Sequence, residues 1–181
     1  MASVRAGLLI PSSNTTIEAE YYRFGPEGMT WHFARLPLAA VTRQEIEAQD
    51  TVIEAATTLL AAARPHAVLL CQSAASFVMG GEYDRSVSAR MTAASGVPAL
   101  TGAAAMADAL RALGARRIAL ATPFAPDVVA ATELYFRQHG VVPVRSIGLA
   151  VASNFDIAGV AGARLSAMVA EVGGPDVDAV V

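Results

Sequence analysis

The sequence predicts an α/β fold in which parallel strands alternate with helices. Short β-branched or leucine-rich runs alternate with longer alanine- and leucine-rich stretches of helical period, a rhythm that is typical of βαβ units. A second observation is a weak internal repeat, because a strand followed by Pro-Ser-Ser-Asn at 11–14 is echoed by a strand followed by Thr-Pro-Phe at 122–124. The repeat predicts two similar lobes, residues 1–98 and residues 99–181.

The individual elements follow from local patterns. The predicted strands share short length and a high content of leucine or β-branched residues: 4–10, 30–36, 67–70, 97–100, 117–121, 144–149 and 177–181. The clearest predicted helices carry apolar stripes of helical spacing: 43–63, 103–113, 127–139 and 161–172. Pro65 stops the first of these helices, and a glycine closes each of the others.

The final predicted strand, 177–181, has the pattern of the beginning of a buried strand. Since a domain is not expected to end inside an interior strand, we expect the second lobe to be incomplete in this chain. The 181 residues are therefore expected to be the N-terminal portion of a longer protein.

Composition favours a small-molecule enzyme. The net charge is −3 without a block of like charges, so neither a nucleic-acid partner nor an anionic membrane surface is expected. Although 54% of residues are hydrophobic, no apolar block reaches the roughly 18 residues of a membrane span. A single cysteine excludes an intrachain disulfide and predicts a reduced, cytoplasmic location. A homo-oligomer is compatible with this composition, but no exposed apolar stripe identifies an interface.

No metal or cofactor is expected. The three histidines are scattered and lack metal-ligand spacing. Neither a dinucleotide-binding nor a P-loop glycine motif is present.

A polar turn follows the first strand, at the sheet edge where ligands of parallel α/β proteins collect. It presents Ser12, Ser13 and Asn14 just before a helix, and Thr15 and Glu18 have capping-box spacing. Such a cluster suits a carboxylate, because helix N-termini favour anions. The alternative is that these residues only cap their own helix.

Cys71 lies at the carboxyl end of the third strand and precedes Gln72 and Ser73. Nearby helix N-terminal N–H groups are expected to lower the thiol pKa from about 8.5 toward neutrality. Cys71 is therefore a candidate nucleophile. The alternative is a packed core thiol, since free cysteine is often buried.

Two further positions are candidates. Asn154 follows the sixth strand and has an amide donor for an anionic ligand, although an ordinary turn asparagine fits equally. Tyr83 and Asp84 follow two glycines in a predicted loop that is a candidate lid.

Taken together, these segments resemble a known family. The turn Pro-Ser-Ser-Asn-Thr-Thr at 11–16, then Cys71, then Thr-Pro-Phe at 122–124 and Val-Ala-Ser-Asn at 151–154 are similar to the maleate cis-trans isomerases of the aspartate/glutamate racemase superfamily, which also includes arylmalonate decarboxylases. The resemblance implies two Rossmann-like lobes that face each other across a site without a cofactor. It also implies that each lobe supplies one cysteine.

For this sequence the resemblance implies that Cys71 adds to the alkene of maleate as a thiolate. Asn14 and Asn154 match positions that hold the substrate carboxylates, and Ser12, Ser13, Ser73 and Phe124 are the other expected substrate-binding residues. The second cysteine of the family would lie beyond Val181.

Two departures from the family pattern leave the substrate open. Phe124 replaces a tyrosine whose hydroxyl donates to a substrate carboxylate, and losing such a bond costs roughly 1.5 to 3 kcal/mol. The loop after Cys71 is also longer by about one residue and more polar than the family pattern. The alternatives are a related racemase or decarboxylase acting on another carboxylate, or a non-catalytic carboxylate-binding fragment.

Overall fold

Parallel strands and their connecting helices make up the framework of the chain. The computed structural model describes residues 3–181. The strands of this range are β1 Val4–Pro11, β2 Met29–Leu36, β3 Ala67–Leu70, β4 Ala99–Thr101, β5 Arg117–Thr122, β6 Val142–Gly148 and β7 Ala179–Val180. The α-helices are α1 Ile17–Phe24, α2 Arg43–Asp50, α3 Ile53–Ala61, α4 Ser73–Met79, α5 Gly81–Ser95, α6 Gly102–Ala112, α7 Pro126–Gln138 and α8 Gly162–Val172. No helix among these residues combines the length and apolar character that a membrane span requires.

The strands form two parallel sheets, which confirms the predicted fold class. The first sheet has the order β2-β1-β3-β4 and the second has the order β6-β5-β7. Every pairing is parallel. One detail differs from the sequence-based prediction: β4 pairs with β3 in the first sheet, whereas the predicted boundary after residue 98 assigned this strand to the second lobe. The chain passes to the second sheet only after Thr101.

Each sheet has its own apolar core. The first core joins strand residues to α3 and α5: Leu9, Leu36, Ile53, Leu60, Val68, Leu70, Val87 and Met91. The second core joins β5 to α4, α6 and α7: Phe77, Ala103, Ala107, Leu110, Ala115, Ile118, Leu120, Tyr135, Phe136 and Val141. Phe77 lies on α4, directly after the third strand of the first sheet. This helix therefore ties the end of β3 to the core of the second sheet.

The predicted helix 43–63 is two helices in the structure. The break falls at Thr51 and Val52, between α2 and α3. Consecutive β-branched residues from Thr51 to Ile53 lose side-chain freedom in a helix. The Thr51 hydroxyl also donates to the carbonyl of Ala48 at 2.7 Å, a local bond that competes with regular helical bonding.

The predicted lid loop is also wrong, because Tyr83 and Asp84 lie in the first turn of α5. Gly80 separates α4 from α5 with φ of +88°, a conformation that glycine adopts readily. Asp84 is buried and accepts a hydrogen bond from the hydroxyl of Tyr135 on α7. This contact joins α5 to α7 and excludes a mobile-lid role for Asp84.

Gly148, at the end of β6, lies against the loop that follows β5. A Cβ at Gly148 would lie 2.5 Å from the carbonyl oxygen of Phe124 and 2.8 Å from a methyl of Val129. Since such overpacking forces the backbone to shift, we expect Gly148→Ala to lower the free energy of unfolding by about 1–3 kcal/mol in urea titrations. Gly162→Ala is the matched control, because its added methyl meets no atom within 4 Å. Equal effects of the two substitutions would contradict this account of the packing.

Candidate active site

The candidate nucleophile is placed by the pairing of β3 with β1. The two strands run in parallel register from Ala6 and Ala67 to Leu9 and Leu70. The N–H of Cys71 then donates to the carbonyl of Leu9 at 2.8 Å. Cys71 therefore lies at the same sheet edge as the polar turn after β1.

The polar turn is held by backbone and side-chain bonds to the segment after β2. The N–H of Ser12 donates to the carbonyl of Leu36 at 2.6 Å, and the hydroxyl of Ser12 accepts from the N–H of Leu38 at 3.2 Å. The hydroxyl of Ser13 donates to the Leu38 carbonyl at 2.6 Å. Ser12 and Ser13 also line a surface cavity of about 750 Å³, whose lining does not include Cys71. The two serines therefore hold the turn in place through hydrogen bonds, and they also form part of the cavity wall.

Asn14 caps α1. Its Oδ1 accepts hydrogen bonds from the N–H groups of Thr16 at 3.1 Å and Ile17 at 2.9 Å. The predicted capping box of Thr15 and Glu18 is therefore wrong, and the Glu18 carboxylate instead pairs with Arg35 at 3.0 Å. Because Oδ1 of Asn14 already accepts two hydrogen bonds, the side-chain NH2 group is the part of this residue that can donate to a carboxylate ligand.

Arg35 is a structural residue of the turn that sequence reasoning missed. Its guanidinium donates to the carbonyl oxygens of Ser12 at 3.0 Å and Asn14 at 2.8 Å. The contact depends on the register that sets Arg35 opposite Ile10. A lone arginine at a strand end gives no sequence signal for this role.

The loop after β6 reaches the polar turn of the first sheet. The Asn154 amide donates from Nδ2 to the hydroxyl of Ser13 at 2.7 Å. The backbone N–H of Asn154 donates to the carbonyl of Ala39 at 3.0 Å. The structure therefore brings together Ser13 and Asn154, which are 141 residues apart in sequence.

A second cavity, of about 170 Å³, is lined by two other predicted substrate-binding residues. Ser73, at the start of α4, and Phe124, after β5, line it together with Phe77 and Thr122. The rings of Phe77 and Phe124 meet edge to face at 6.3 Å between centroids. The Leu149 N–H donates to the Thr122 carbonyl at 3.1 Å, which fixes the loop that carries Phe124. The ring therefore presents an apolar wall without a donor.

The thiol of Cys71 is largely enclosed. Among residues 3–181, its sulfur makes polar contacts with the Tyr21 hydroxyl and the Leu69 carbonyl, each at 3.9 Å. Burial raises the pKa of Cys71 to about 11, and the hydrogen bond from Tyr21 opposes this increase. The direction is opposite to the predicted lowering, because removal of the sulfur from water outweighs the hydrogen bond from Tyr21.

Tyr21 was missed by the sequence analysis. It lies on α1, the helix that Asn14 caps, and its partner Cys71 is 50 residues away. The usable signal was indirect: α1 is amphipathic and precedes a strand that carries Trp31 and Phe33, both of which contact the ring of Tyr21. Among the described residues, no cluster of three or more His, Cys, Asp or Glu side chains is arranged to hold a metal ion.

The contact between Ser13 and Asn154 gives a direct test of how the two sheets are joined. We expect a double-mutant cycle of Ser13→Ala and Asn154→Ala to give a coupling free energy of about 0.5–1.5 kcal/mol in urea unfolding. Thr58 is exposed on α3 and bonds only within its own helix. The control cycle of Ser13→Ala with Thr58→Ala should therefore be additive within about 0.5 kcal/mol. Additivity in both cycles would show that the first contact does not form.

Relatives of known activity share this architecture. The chain is 28% identical to maleate isomerase from Alcaligenes faecalis over 170 residues, which is 87% of this chain and 67% of that protein. A crystal structure of a cysteine-to-alanine variant of the maleate isomerase Iso from Pseudomonas putida with maleate has a TM-score of 0.91 and 29% identity, and the match covers 99% of this chain and 76% of that chain.

A third relative has a trapped reaction intermediate. It is a cysteine-to-serine variant of Nocardia farcinica maleate cis-trans isomerase with a covalently bound succinylcysteine intermediate, with a TM-score of 0.88 and 27% identity over 98% of this chain and 76% of that chain. The sequence profile of the arylmalonate decarboxylase family matches residues 6–181. The chain therefore belongs to the arylmalonate decarboxylase family, and its fold and sequence are also similar to those of maleate isomerases.

Proposed function

We propose that the protein catalyses isomerisation of maleate, or of a close dicarboxylate, to fumarate through a thiolate adduct on Cys71 and without a cofactor. The observation that carries the proposal is the position of Cys71 at the end of β3, hydrogen-bonded through its N–H to β1, beside the polar turn that Asn154 contacts. The maleate and succinylcysteine complexes of the relatives support a cysteine-based reaction of this kind.

The proposed reaction begins with transfer of the thiol proton to solvent water. The thiolate then forms a C–S bond to one alkene carbon, and the π electrons move onto the neighbouring carbon and its carboxylate. The former double bond is now single and rotates. When the electrons return, the C–S bond breaks and the trans alkene leaves, so the thiolate is regenerated. Protonation of the neighbouring carbon would give a succinylcysteine, the species held in the Nocardia farcinica variant.

Neutral donors suit the recognition of the two carboxylates. The side-chain NH2 group of Asn14 and the amide of Asn154 provide N–H donors, and Ser12 and Ser73 provide hydroxyls. The hydroxyl hydrogen of Ser13 is already donated to the Leu38 carbonyl, so Ser13 acts by orienting Asn154. Such donors stabilise negative charge that moves onto a carboxylate during the addition, because they are already oriented by the fold. They also avoid an ion pair that would hold the product tightly.

A catalytic role of the Cys71 thiol sets two requirements. Since a catalytic thiol must stay reduced, the proposal retains the expected cytoplasmic location. The proposal also requires Cys71 to lose its proton, although burial raises the pKa of its thiol to about 11.

The proposal predicts that the protein converts maleate to fumarate under reducing conditions. We expect proton NMR to show this conversion, and expect Cys71→Ala to reduce the rate at least 100-fold, since the substitution removes the nucleophile. Thr58→Ala, on the exposed face of α3, should retain the parent rate. A folded parent protein that leaves maleate unchanged would overturn the substrate assignment.

Phe124 allows a test of substrate position. If the ring faces a substrate carboxylate, Phe124→Tyr adds a donor to a charged group, and we expect kcat/KM for maleate to rise roughly ten- to a hundred-fold. Phe24→Tyr is the matched control, because Phe24 is 72% exposed. A decrease in kcat/KM for Phe124→Tyr, with Phe24→Tyr unchanged, would show that the ring does not face a carboxylate.

A second candidate function is decarboxylation or racemisation of another carboxylate. The family profile that matches is that of arylmalonate decarboxylase, and the apolar wall formed by Phe77 and Phe124 favours a substrate with an apolar substituent. Incubation in deuterium oxide with aryl malonates and amino acids tests this alternative by proton NMR. Deuterium incorporation or loss of carbon dioxide, without any maleate turnover, would favour it.

A further inference from the structure

Tyr21 and Cys71 meet inside the candidate site although they come from different elements. The hydroxyl of Tyr21, on α1, lies 3.9 Å from the sulfur of Cys71, a separation that allows a hydrogen bond to sulfur. Both side chains are partly buried. The contact joins the helix that follows the polar turn directly to the candidate nucleophile.

The ring of Tyr21 is held in place by aromatic neighbours on β2. It meets Trp31 edge to face with centroids 4.8 Å apart, and Phe33 edge to face at 6.4 Å. Gly25 ends α1 and allows Trp31 to approach closely, since a Cβ there would lie 2.5 Å from the indole. The direction of the hydroxyl is therefore set by packing and does not depend on its contact with sulfur.

The two polar neighbours of the sulfur have opposite preferences for its charge. The carbonyl of Leu69 can only accept a hydrogen bond, so it favours the protonated thiol. The Tyr21 hydroxyl can donate, so it favours the thiolate. Among the described residues these are the polar contacts of the sulfur, and Tyr21 is thus the neighbour able to stabilise its charged form.

Burial raises the pKa of both Cys71 and Tyr21, and the charge of a Cys71 thiolate raises the pKa of Tyr21 further. An ionised thiol therefore favours the protonated form of the neighbouring phenol, which is the form that can donate to it.

We propose that Tyr21 is a positioning residue that holds the sulfur of Cys71 and stabilises its thiolate by donating a hydrogen bond. The proposal rests on the proposed role of Cys71 as nucleophile. It extends that role by naming the group that compensates for burial of the thiolate.

Tyr21→Phe tests the proposal because it removes the hydroxyl and keeps the ring that packs on Trp31. Tyr22→Phe is the matched control, since Tyr22 is the next residue of α1 and its hydroxyl donates to the Trp31 carbonyl at 3.3 Å. The measurement is the rate of iodoacetamide alkylation of the peptide that contains Cys71, followed by mass spectrometry from neutral pH to pH about 11. We expect the rate for Tyr21→Phe to fall roughly three- to tenfold below the parent at each pH below the thiol pKa, and its profile to shift to higher pH. Tyr22→Phe should follow the parent.

Coincident profiles for the parent and both variants would overturn the proposal. Loss of folding in Tyr21→Phe would also overturn it, because the main contribution of the hydroxyl would then be to the stability of the fold. Alkylation does not require substrate turnover, so its outcome is separate from that of the proposed function. A shifted profile in a protein that leaves maleate unchanged would retain the role of Tyr21 and reject the maleate assignment.

Discussion

The parallel pairing of β1 with β3 is the constraint on which the site depends. The last paired residues are Leu9 and Leu70, which are both buried. One residue further on, the N–H of Cys71 donates to the Leu9 carbonyl. Because both strands end at one edge, a single hydrogen-bonded register places the thiol beside the turn that carries Ser12, Ser13 and Asn14. A shift of this register would separate the thiol from that turn and redirect the side chains of β3.

A second constraint is that the site is assembled from both sheets. Asn154 bonds to Ser13, and Phe77 extends from α4 into the core of the second sheet, where it contacts Phe124. These contacts fix the two loops. Burial also raises the pKa of the Cys71 thiol, so a nucleophilic role for Cys71 requires a group that favours its thiolate. The Tyr21 hydroxyl, 3.9 Å from the sulfur, is the group that we propose for this role.

Strand 67–70 was predictable because it is a short apolar run. The selection of Ser13, Cys71 and Asn154 used the rule that ligands collect at the carboxyl ends of parallel strands, and their roles in the site stay predictions. Tyr21 and Arg35 were not predictable, since each acts through a residue that is distant in sequence. The pKa direction of Cys71 was predicted from a local helix effect, whereas desolvation, a property of the folded surroundings, dominates it. The first turn of α5 was predicted as a loop because two adjacent glycines precede Tyr83 and Asp84, although of the two only Gly80 has a positive φ.

The central claim is that Cys71 forms the covalent bond to the substrate. It is tested most directly by acid-quenching the protein during incubation with maleate and mapping the modified peptide by mass spectrometry. Succinate, which lacks the alkene, is the matched control ligand. The account predicts an added mass equal to one maleic acid on the peptide that contains Cys71, and no addition with succinate. Maleate turnover with the adduct on another residue, and with Cys71 unmodified throughout, would contradict it.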